Sequence, residues 1–432
     1  MANASLAHEP GTASAFINPA YRWGFALVVS LFFLWALANN LNDILIRQFQ
    51  KSLGLDRAQA GFIQFVFYIG YFVIALPAGL LMRRFGYRAG ILTGLSLYAA
   101  GAALFYPASL MLSFGMFLFA LFVLAAGAAC LETTANAYIG CFGDRPSAVR
   151  RLNFAQAFNG LGGTLAPVIG GLLIFSGIEH SSDTLSAMSA AELAAYRASE
   201  ATTVQLPYAL LATTALLLAV AVAMVRLPHA DFDGGLPLRR QFRVLLGNRA
   251  LTGAVVAQFF YVGAQVGIWS FFIDFVKDVT PWISERQAAY LLSSSLVLFM
   301  IGRFAGTALM ARVRPVRLLA LNALACIACS AIAVVAPGLI AVAALVLVSF
   351  FMSIMFPTIF ALGVETLGPA RPLGSSFIIM AIIGGAVFPP LMGMVAVQAG
   401  ALPIAMLLPL GCFVVVAVYA RRAALAGAGE AG

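Results

Sequence analysis

Apolar runs long enough to cross a lipid bilayer as helices recur about twelve times along this chain. They lie near residues 22–46, 60–82, 89–108, 114–141, 152–177, 206–226, 250–276, 287–310, 316–336, 338–363, 373–395 and 401–420. Hydrophobic residues make up 62% of the sequence and charged residues 9%, whereas a soluble globular chain has roughly 25% charged residues. The pattern therefore predicts an all-α membrane protein with twelve transmembrane helices.

The last six runs echo the first six. The pair Gly162-Gly163 with a proline shortly after it, in the fifth run, recurs as Gly384-Gly385 with a proline in the eleventh. A repeat in the same order predicts two pseudo-symmetric six-helix halves related by an axis along the membrane normal. The expected domains are an N-terminal half at 1–226, a central cytoplasmic loop at 227–249 and a C-terminal half at 250–432.

The net charge of +9 is unevenly distributed. A basic chain can bind nucleic acid. Here, however, most of the 25 Lys and Arg residues lie before the first run, after the last, or in the connections that follow the even-numbered runs. Because this distribution follows the positive-inside rule, we expect both termini to be cytoplasmic and no nucleic-acid partner.

Two acidic residues interrupt the apolar runs of the first half. Asp43 ends a cluster of asparagines that includes Asn40, and Glu132 lies one helical turn before Asn136. A charged group at the centre of a membrane helix costs roughly 2.5–3.5 kcal/mol on insertion scales, so we expect these side chains to line a cavity. One interpretation is that the two acids load and release protons. The other is a structural contact between helices that stays permanently protonated.

Amide and aromatic side chains recur at helical spacing in the fifth and seventh runs. Amides also join helices to one another, and the aromatic rings suit ordinary packing equally well. Amides and carboxyls hydrogen-bond hydroxyl groups, however, and a ring packs on the C–H face of a pyranose, so the mixture favours a neutral polyhydroxylated solute. The residues expected to bind it are Asn40, Asn136, Gln156, Asn159, Gln258, Tyr261, Gln265 and Trp269.

Enzymatic chemistry has little support in the sequence. All three histidines lie in tails or loops, and Cys326 and Cys329 share an apolar run without a second pair, which favours small core residues over a metal or redox site. We therefore expect no catalytic residue, metal site or cofactor. A non-transporting sugar sensor is a further alternative. Arg303 and Glu365, in or at the end of apolar runs, are candidates to pair across two helices.

Six segments carry a resemblance to a known family. They are Phe32 to Leu45, Cys130 to Asn136, Leu152 to Asn159, Ala257 to Gln265, Ile301 to Thr307 and Gly374 to Met380. These segments resemble the fucose–galactose–glucose:proton symporter family of the major facilitator superfamily. The resemblance implies proton-coupled uptake of a monosaccharide by alternating access. It also implies that Asp43 and Glu132 match the family's essential carboxylates and that Asn40, Gln156 and Asn159 lie in its sugar cavity.

The tenth run departs from the resemblance. Members that transport L-fucose read Gln-Tyr where this chain has Met355-Phe356 before Pro357. The proline is expected to loosen this helix where it lines the cavity. We expect L-fucose to be the first substrate, with D-galactose or D-glucose next and N-acetylglucosamine after them. The resemblance also implies a monomer in a bacterial inner membrane.

Overall fold

The structure, a computed structural model, describes residues 16–55, 57–174, 182–229 and 237–429. Every regular element within these ranges is a helix. The elements of the first half are a 3-10 turn at Pro19–Tyr21, α1 (Arg22–Leu53), α2 (Arg57–Met111), α3 (Phe114–Tyr138), a 3-10 turn at Ile139–Phe142, α4 (Ala148–Leu173), α5 (Ser182–Ala187), α6 (Ala190–Thr202) and α7 (Gln205–Met224).

The second half contains more and shorter helices. Its elements are α8 (Leu238–Gly247), α9 (Arg249–Ser270), α10 (Phe272–Val279), α11 (Glu285–Leu309), α12 (Pro315–Val335), α13 (Gly338–Met352), α14 (Met355–Val364), a 3-10 turn at Gly368–Ala370, α15 (Arg371–Met380), a 3-10 turn at Ala381–Ile383, α16 (Gly384–Ala399), α17 (Leu402–Ala405) and α18 (Leu407–Gly429).

Twelve crossings follow from these helices. Ten stretches of the described chain are long and apolar enough to span a bilayer. One of them, Ile63–Met111, contains two crossings, because α2 reverses at Gly86, whose φ of 81° lies in the region that glycine tolerates best. The polar stripe of α4 lowers its mean hydropathy, and this 26-residue helix supplies the remaining crossing. The predicted all-α architecture of twelve transmembrane helices is confirmed.

Two of the connections between the predicted apolar runs contain helices. Residues 178–205 include α5 and α6, and α6 begins with a capping box in which Ser189 and Glu192 exchange hydrogen bonds. The Ser189 hydroxyl and backbone N–H lower the pKa of the Glu192 carboxyl, because both stabilise its charged form. The central loop likewise contains α8, which presents Gln241 and Leu245 as its buried residues.

The tenth crossing is broken in two, as the sequence predicts. Helix α13 ends at Met352, five residues before Pro357, and α14 begins at Met355, two residues before it. Proline has no backbone N–H to donate to the preceding turn. The carbonyl of Ser353, four residues before the proline, therefore has no helical donor. It lies inside the bundle, where Ser353 is fully buried.

The helices pack within two groups of six and meet across a central interface. In the first group α1 packs on α4, and α2 on α3 and α7; in the second, α9 packs on α14, α16 and α18. Contacts between the groups join α4 to α11 and α14, and α2 and α3 to α15. We call the end of the bundle where α1 begins and α18 ends the terminal face.

Buried hydrogen bonds hold the first group together at the terminal face. The Tyr138 hydroxyl donates to the Pro228 carbonyl at 2.6 Å, which ties α3 to the segment after α7. The Arg151 guanidinium donates to the carbonyls of Phe16, Ile139 and Gly140 and forms a 3.2 Å ion pair with Asp144. These contacts fix α3 and α4 relative to each other at the terminal face.

Candidate functional site

Glu132 lies in the deeply buried second half of α3. All residues of α3 from Leu124 to Tyr138 are buried, and Glu132 is 6% exposed. Its carboxyl faces the Tyr71 hydroxyl and the Asn136 amide. The Asn39 amide donates to the same hydroxyl at 2.8 Å. A carboxyl with these few neutral partners is sensitive to any nearby charge.

An amide network extends from Glu132 toward the second half. The Gln156 amide donates to the Asn136 carbonyl oxygen at 3.0 Å, joining α4 to α3. Gln156 and Asn159 then accept hydrogen bonds from the Arg303 guanidinium on α11, at 3.2 and 2.8 Å between side-chain atoms. Three residues predicted from sequence to bind substrate, Asn136, Gln156 and Asn159, are therefore brought together, and one continuous chain of hydrogen bonds crosses between the halves.

Arg303 lies at the centre of this hydrogen-bond network, whereas the sequence suggested that it pairs with Glu365. It contacts α4 and the broken tenth crossing, and its guanidinium is within electrostatic range of Glu132. The suggested pair with Glu365 is wrong. Glu365 is exposed and lines a cavity of about 990 Å³ at the terminal face, together with Arg314, Arg317 and Arg421. The signal for a central role was present in sequence, because a lone cation inside an apolar run needs polar partners.

Gln258 and Tyr261 on α9 form the second polar surface. Both side chains are 0% exposed, and they lie three residues apart on the same face of the helix. Neither polar atom of the Gln258 amide has a hydrogen-bond partner among the described residues, and the same holds for the Tyr261 hydroxyl. Burying such groups without partners is unfavourable, so this surface is suited to a polar ligand.

The other two residues of the α9 stripe differ from this pair. The Trp269 indole donates to the Ser349 hydroxyl at 3.1 Å, and its ring packs edge-on against Phe299 at 5.0 Å between centroids. Trp269 thus joins α9 to α11 and α13. Gln265, one turn before it, is half-buried. The structure does not bring Trp269 into the amide network, and its role in substrate binding stays a prediction.

The first helix faces α4 at the level of the network. Asn40 donates to the Ala36 carbonyl at 2.8 Å, and its amide lies against Gly163, where an added Cβ would approach the amide nitrogen to 3.1 Å. The Asn39-Tyr71 hydrogen bond, which sequence did not identify, lies on the adjacent residue of the same helix. The backbone of Asp43 belongs to α1, but its side chain lies outside the described part of the structure.

Residues Met355 and Phe356, which mark the departure in the tenth crossing, are buried at the start of α14. The Phe356 ring lies 6.5 Å from the ring of Tyr261 between centroids. Two residues further along α14, Thr358 accepts a hydrogen bond from the Asn153 amide at 3.3 Å, a second polar link between α4 and the other half. The Phe356 side chain therefore borders the α9 surface.

Chemically, the arrangement combines one acid, one cation and several amides in an apolar surround. An acid there can take up a proton, and the amides and guanidinium can bind hydroxyl groups. Cys326 and Cys329 do not contribute to it: both are free thiols on α12, and Cys326 contacts the Val348 carbonyl.

Comparison with known proteins identifies relatives over nearly the whole chain. The model of the Major Facilitator Superfamily matches residues 23–389. The L-fucose-proton symporter of Escherichia coli K12 is 45% identical over 423 residues, which cover 96% of this chain and 94% of the relative. The glucose/galactose transporter of Brucella abortus is 38% identical over 400 residues, covering 92% and 93%.

Solved structures agree with the sequence relatives. The crystal structure of FucP, a Major Facilitator Superfamily transporter, in the outward conformation superposes with a TM-score of 0.87 at 45% identity, covering 94% of this chain and 99% of that one. The proton:xylose symporter XylE has the same fold at 15% identity, with a TM-score of 0.64 over 92% and 94% of the two chains. This chain belongs to the major facilitator superfamily, and within it to the fucose–galactose–glucose:proton symporter family.

Proposed function

We propose that this protein is a proton-coupled symporter that takes up a neutral hexose by alternating access. The observation that carries the proposal is the hydrogen-bonded chain from Asn136 beside Glu132, through Gln156, to Arg303 on the opposite half. It joins an acid able to carry a proton to amides able to bind hydroxyls, at the interface that alternating access must rearrange. The names of the relatives, which are sugar symporters and transporters, support the same assignment.

L-fucose is the proposed first substrate. It is the sugar named for relatives at 45% and 34% identity, whereas glucose and galactose are named for relatives at 38% identity. D-glucose or D-galactose is therefore the alternative, and N-acetylglucosamine the outside candidate. The residues proposed to contact the sugar are Asn40, Asn136, Gln156, Asn159, Gln258, Tyr261, Gln265 and Trp269.

Glu132 carries the coupled proton in this proposal, and Asp43 links proton and sugar occupancy. A symporter needs its empty and fully loaded states to interconvert while half-loaded states do not. A charged Glu132 in a closing, dry cavity supplies that penalty, because burial of an uncompensated carboxylate is costly. Protonation removes the charge, and bound sugar supplies partners for the amides and for Gln258 and Tyr261.

The proposed topology places the terminal face in the cytoplasm. That face carries Arg314, Arg317 and Arg421, which fits the positive-inside rule. The N-terminal half at 1–226 and the C-terminal half at 250–432 then flank a cytoplasmic segment at 227–249. We propose the inner membrane of a bacterium as the location, and a monomer as the functional unit with no enzymatic step.

Purified protein in proteoliposomes tests the function directly. A hexose gradient is imposed across liposomes that contain a pH-sensitive dye, and empty liposomes and a protonophore serve as controls. A symporter acidifies the lumen only when sugar enters. If sugar enters without acidification, the protein is a uniporter. If sugar binds but does not enter, the protein is a non-transporting sugar sensor.

A further inference from the structure

Arg303 is held in one orientation by contacts on several sides. The side chain is 4% exposed, and its Nε donates to the Ser353 carbonyl at 3.2 Å. Its Nη1 donates to the carbonyl and side-chain oxygens of Gln156 and to the Asn159 side chain. The guanidinium carbon lies 4.5 Å from the centroid of the Phe299 ring, in the geometry of a cation–π contact.

The anchor at Nε exists because of the broken tenth crossing. Pro357 has no N–H to donate to the Ser353 carbonyl, so that oxygen is available to a side chain from another helix. Gly302 lets α11 approach this break, since an added Cβ there would come within 2.5 Å of the Phe350 carbonyl oxygen. The neighbouring Arg303 is thereby brought within reach of the freed carbonyl.

The remaining nitrogen, Nη2, carries two N–H donors that have no hydrogen-bond partner among the described residues. A guanidinium stays charged inside proteins, and each of its N–H donors favours a hydrogen-bond acceptor. Among the described residues, the titratable groups that interact electrostatically with Arg303 are Glu132 and Tyr261, one from each half. Arg303 is thus fixed at Nε and Nη1 while Nη2 remains available to an acceptor.

We propose that Arg303 is a substrate-binding residue whose Nη2 donates to one hydroxyl, or two adjacent hydroxyls, of the hexose. The proposal rests on the proposed function and adds a charged contact that the sequence analysis did not include. A sugar hydroxyl is a suitable acceptor, and a planar guanidinium offers a fixed donor geometry to adjacent oxygens. The nearby Glu132 carboxyl disfavours an acidic sugar, so the ligand class is a neutral polyhydroxylated ring.

A purely structural role makes a different prediction. If Arg303 only ties α4 to α11, its replacement weakens the binding of every sugar equally, because the whole site loosens. If Nη2 donates to a particular hydroxyl, the loss depends on whether the sugar carries that hydroxyl. A series of monodeoxy sugars therefore separates the two roles.

The experiment measures binding of the preferred hexose and its monodeoxy analogues to purified full-length wild type and Arg303→Lys. Lysine keeps the charge but loses the planar fork. We expect the parent sugar to bind about tenfold to a hundredfold more weakly to the variant, the range expected for a lost hydrogen bond to a charged group. The analogue that lacks the contacted hydroxyl should bind both proteins within about twofold.

Arg151→Lys is the matched control. Arg151 is also a fully buried arginine that donates to backbone carbonyls, but its acceptors and Asp144 lie at the terminal face. Arg151→Lys should lower thermal stability and leave the relative affinities for the monodeoxy sugars unchanged. A second variant, Pro357→Ala, gives the Ser353 carbonyl a helical donor again, and should reduce affinity several-fold with the same dependence on one hydroxyl.

Two outcomes overturn the assignment in different ways. A uniform loss across the deoxy series in both Arg303→Lys and Pro357→Ala, or no loss in either, makes Arg303 structural while the proposed function stands. If the wild type binds none of L-fucose, D-galactose, D-glucose and N-acetylglucosamine, the proposed function fails and the assignment of Arg303 fails with it. Should Arg303→Lys not fold, Pro357→Ala alone decides between the first two results.

Discussion

The two polar surfaces that face the middle of this bundle are built differently. On α3 and α4, the amides of Asn136 and Gln156 bond to each other, and Gln156 and Asn159 bond to Arg303 from the other half. On α9, Gln258 and Tyr261 are just as deeply buried, yet their amide and hydroxyl groups have no partner among the described residues.

This difference determines how much each surface can gain from a further hydrogen-bonding partner. A network that is already hydrogen-bonded is rigid and gains little from a new partner, but it conveys a change at one end to the other. An unpaired buried group gains the most from a ligand hydroxyl, because the ligand removes a desolvation penalty of about 1–3 kcal/mol. We therefore expect loss of the Glu132 acid to affect coupling most strongly, and loss of an unpaired group on α9 to affect affinity most strongly.

The largest expected effect comes from removing the acid at the end of the network. Glu132→Gln imitates the protonated carboxyl, so sugar binding and exchange should persist while uphill accumulation is abolished. Exchange and accumulation are measured in the same proteoliposomes, with and without an imposed proton gradient. Glu365→Gln, which neutralises an exposed acid at the terminal face, should accumulate sugar normally. Loss of binding and exchange together in folded Glu132→Gln would contradict the role as proton carrier.

Asp43→Asn tests whether the first helix shares in coupling. The substitution keeps the size of the side chain and removes its charge, so active transport should fail while insertion improves, because the neutral residue is less costly in the membrane. Proton-driven uptake and the amount of protein in the membrane are measured together. Asp278→Asn, at an exposed acid that caps the Leu402 N–H, should leave uptake unchanged. Full uptake by Asp43→Asn would make Asp43 structural.

The contrast with α9 is sharpened by removing one unpaired hydroxyl. Tyr261→Phe should weaken sugar binding by about tenfold and raise the free energy of unfolding of the sugar-free protein by about 1 kcal/mol. Tyr208→Phe is the matched control. The hydroxyl of Tyr208, in the first turn of α7, is also buried without a partner among the described residues, but its ring stacks on Phe105. Tyr208→Phe should raise the free energy of unfolding by a similar amount and leave the affinity for sugar unchanged. Equal affinity of Tyr261→Phe and wild type would remove α9 from the site.

The smallest expected effect concerns sugar preference at the border of the α9 surface. Phe356→Tyr adds a hydroxyl beside Tyr261, 6.5 Å away between ring centroids. It should shift the competition of unlabelled hexoses against labelled L-fucose by up to about tenfold, in favour of a sugar that satisfies the new group. Leu362→Phe, which places bulk at the terminal-face cavity instead, is the control. If L-fucose neither enters nor competes in the wild type while another hexose does, the expected substrate order is wrong.

Much of the architecture was readable from the chain. Apolar runs of spanning length determine where helices cross a bilayer, because backbone polar groups must be satisfied within each crossing. The break before Pro357 was also readable, since the missing N–H belongs to a single residue. The helices α5, α6 and α8 were missed because short, polar segments carry no spanning signal.

The candidate site was predicted only in part. Glu132 and the amides stood out because polar groups are costly in apolar helices, and that cost belongs to the residue wherever it lies. The partner of Arg303 did not follow from sequence, and the pair suggested with Glu365 was wrong.

What the sequence determined by itself is which residues cannot face lipid, and therefore that a polar interior exists between twelve helices. What only the tertiary structure decided is which of these residues meet. Gln156 and Arg303 are 147 positions apart, and they bond because α4 and α11 pack across the halves beside a carbonyl that Pro357 has freed. Partner choice depends on distances between helices, and a local pattern along one helix contains no information about them.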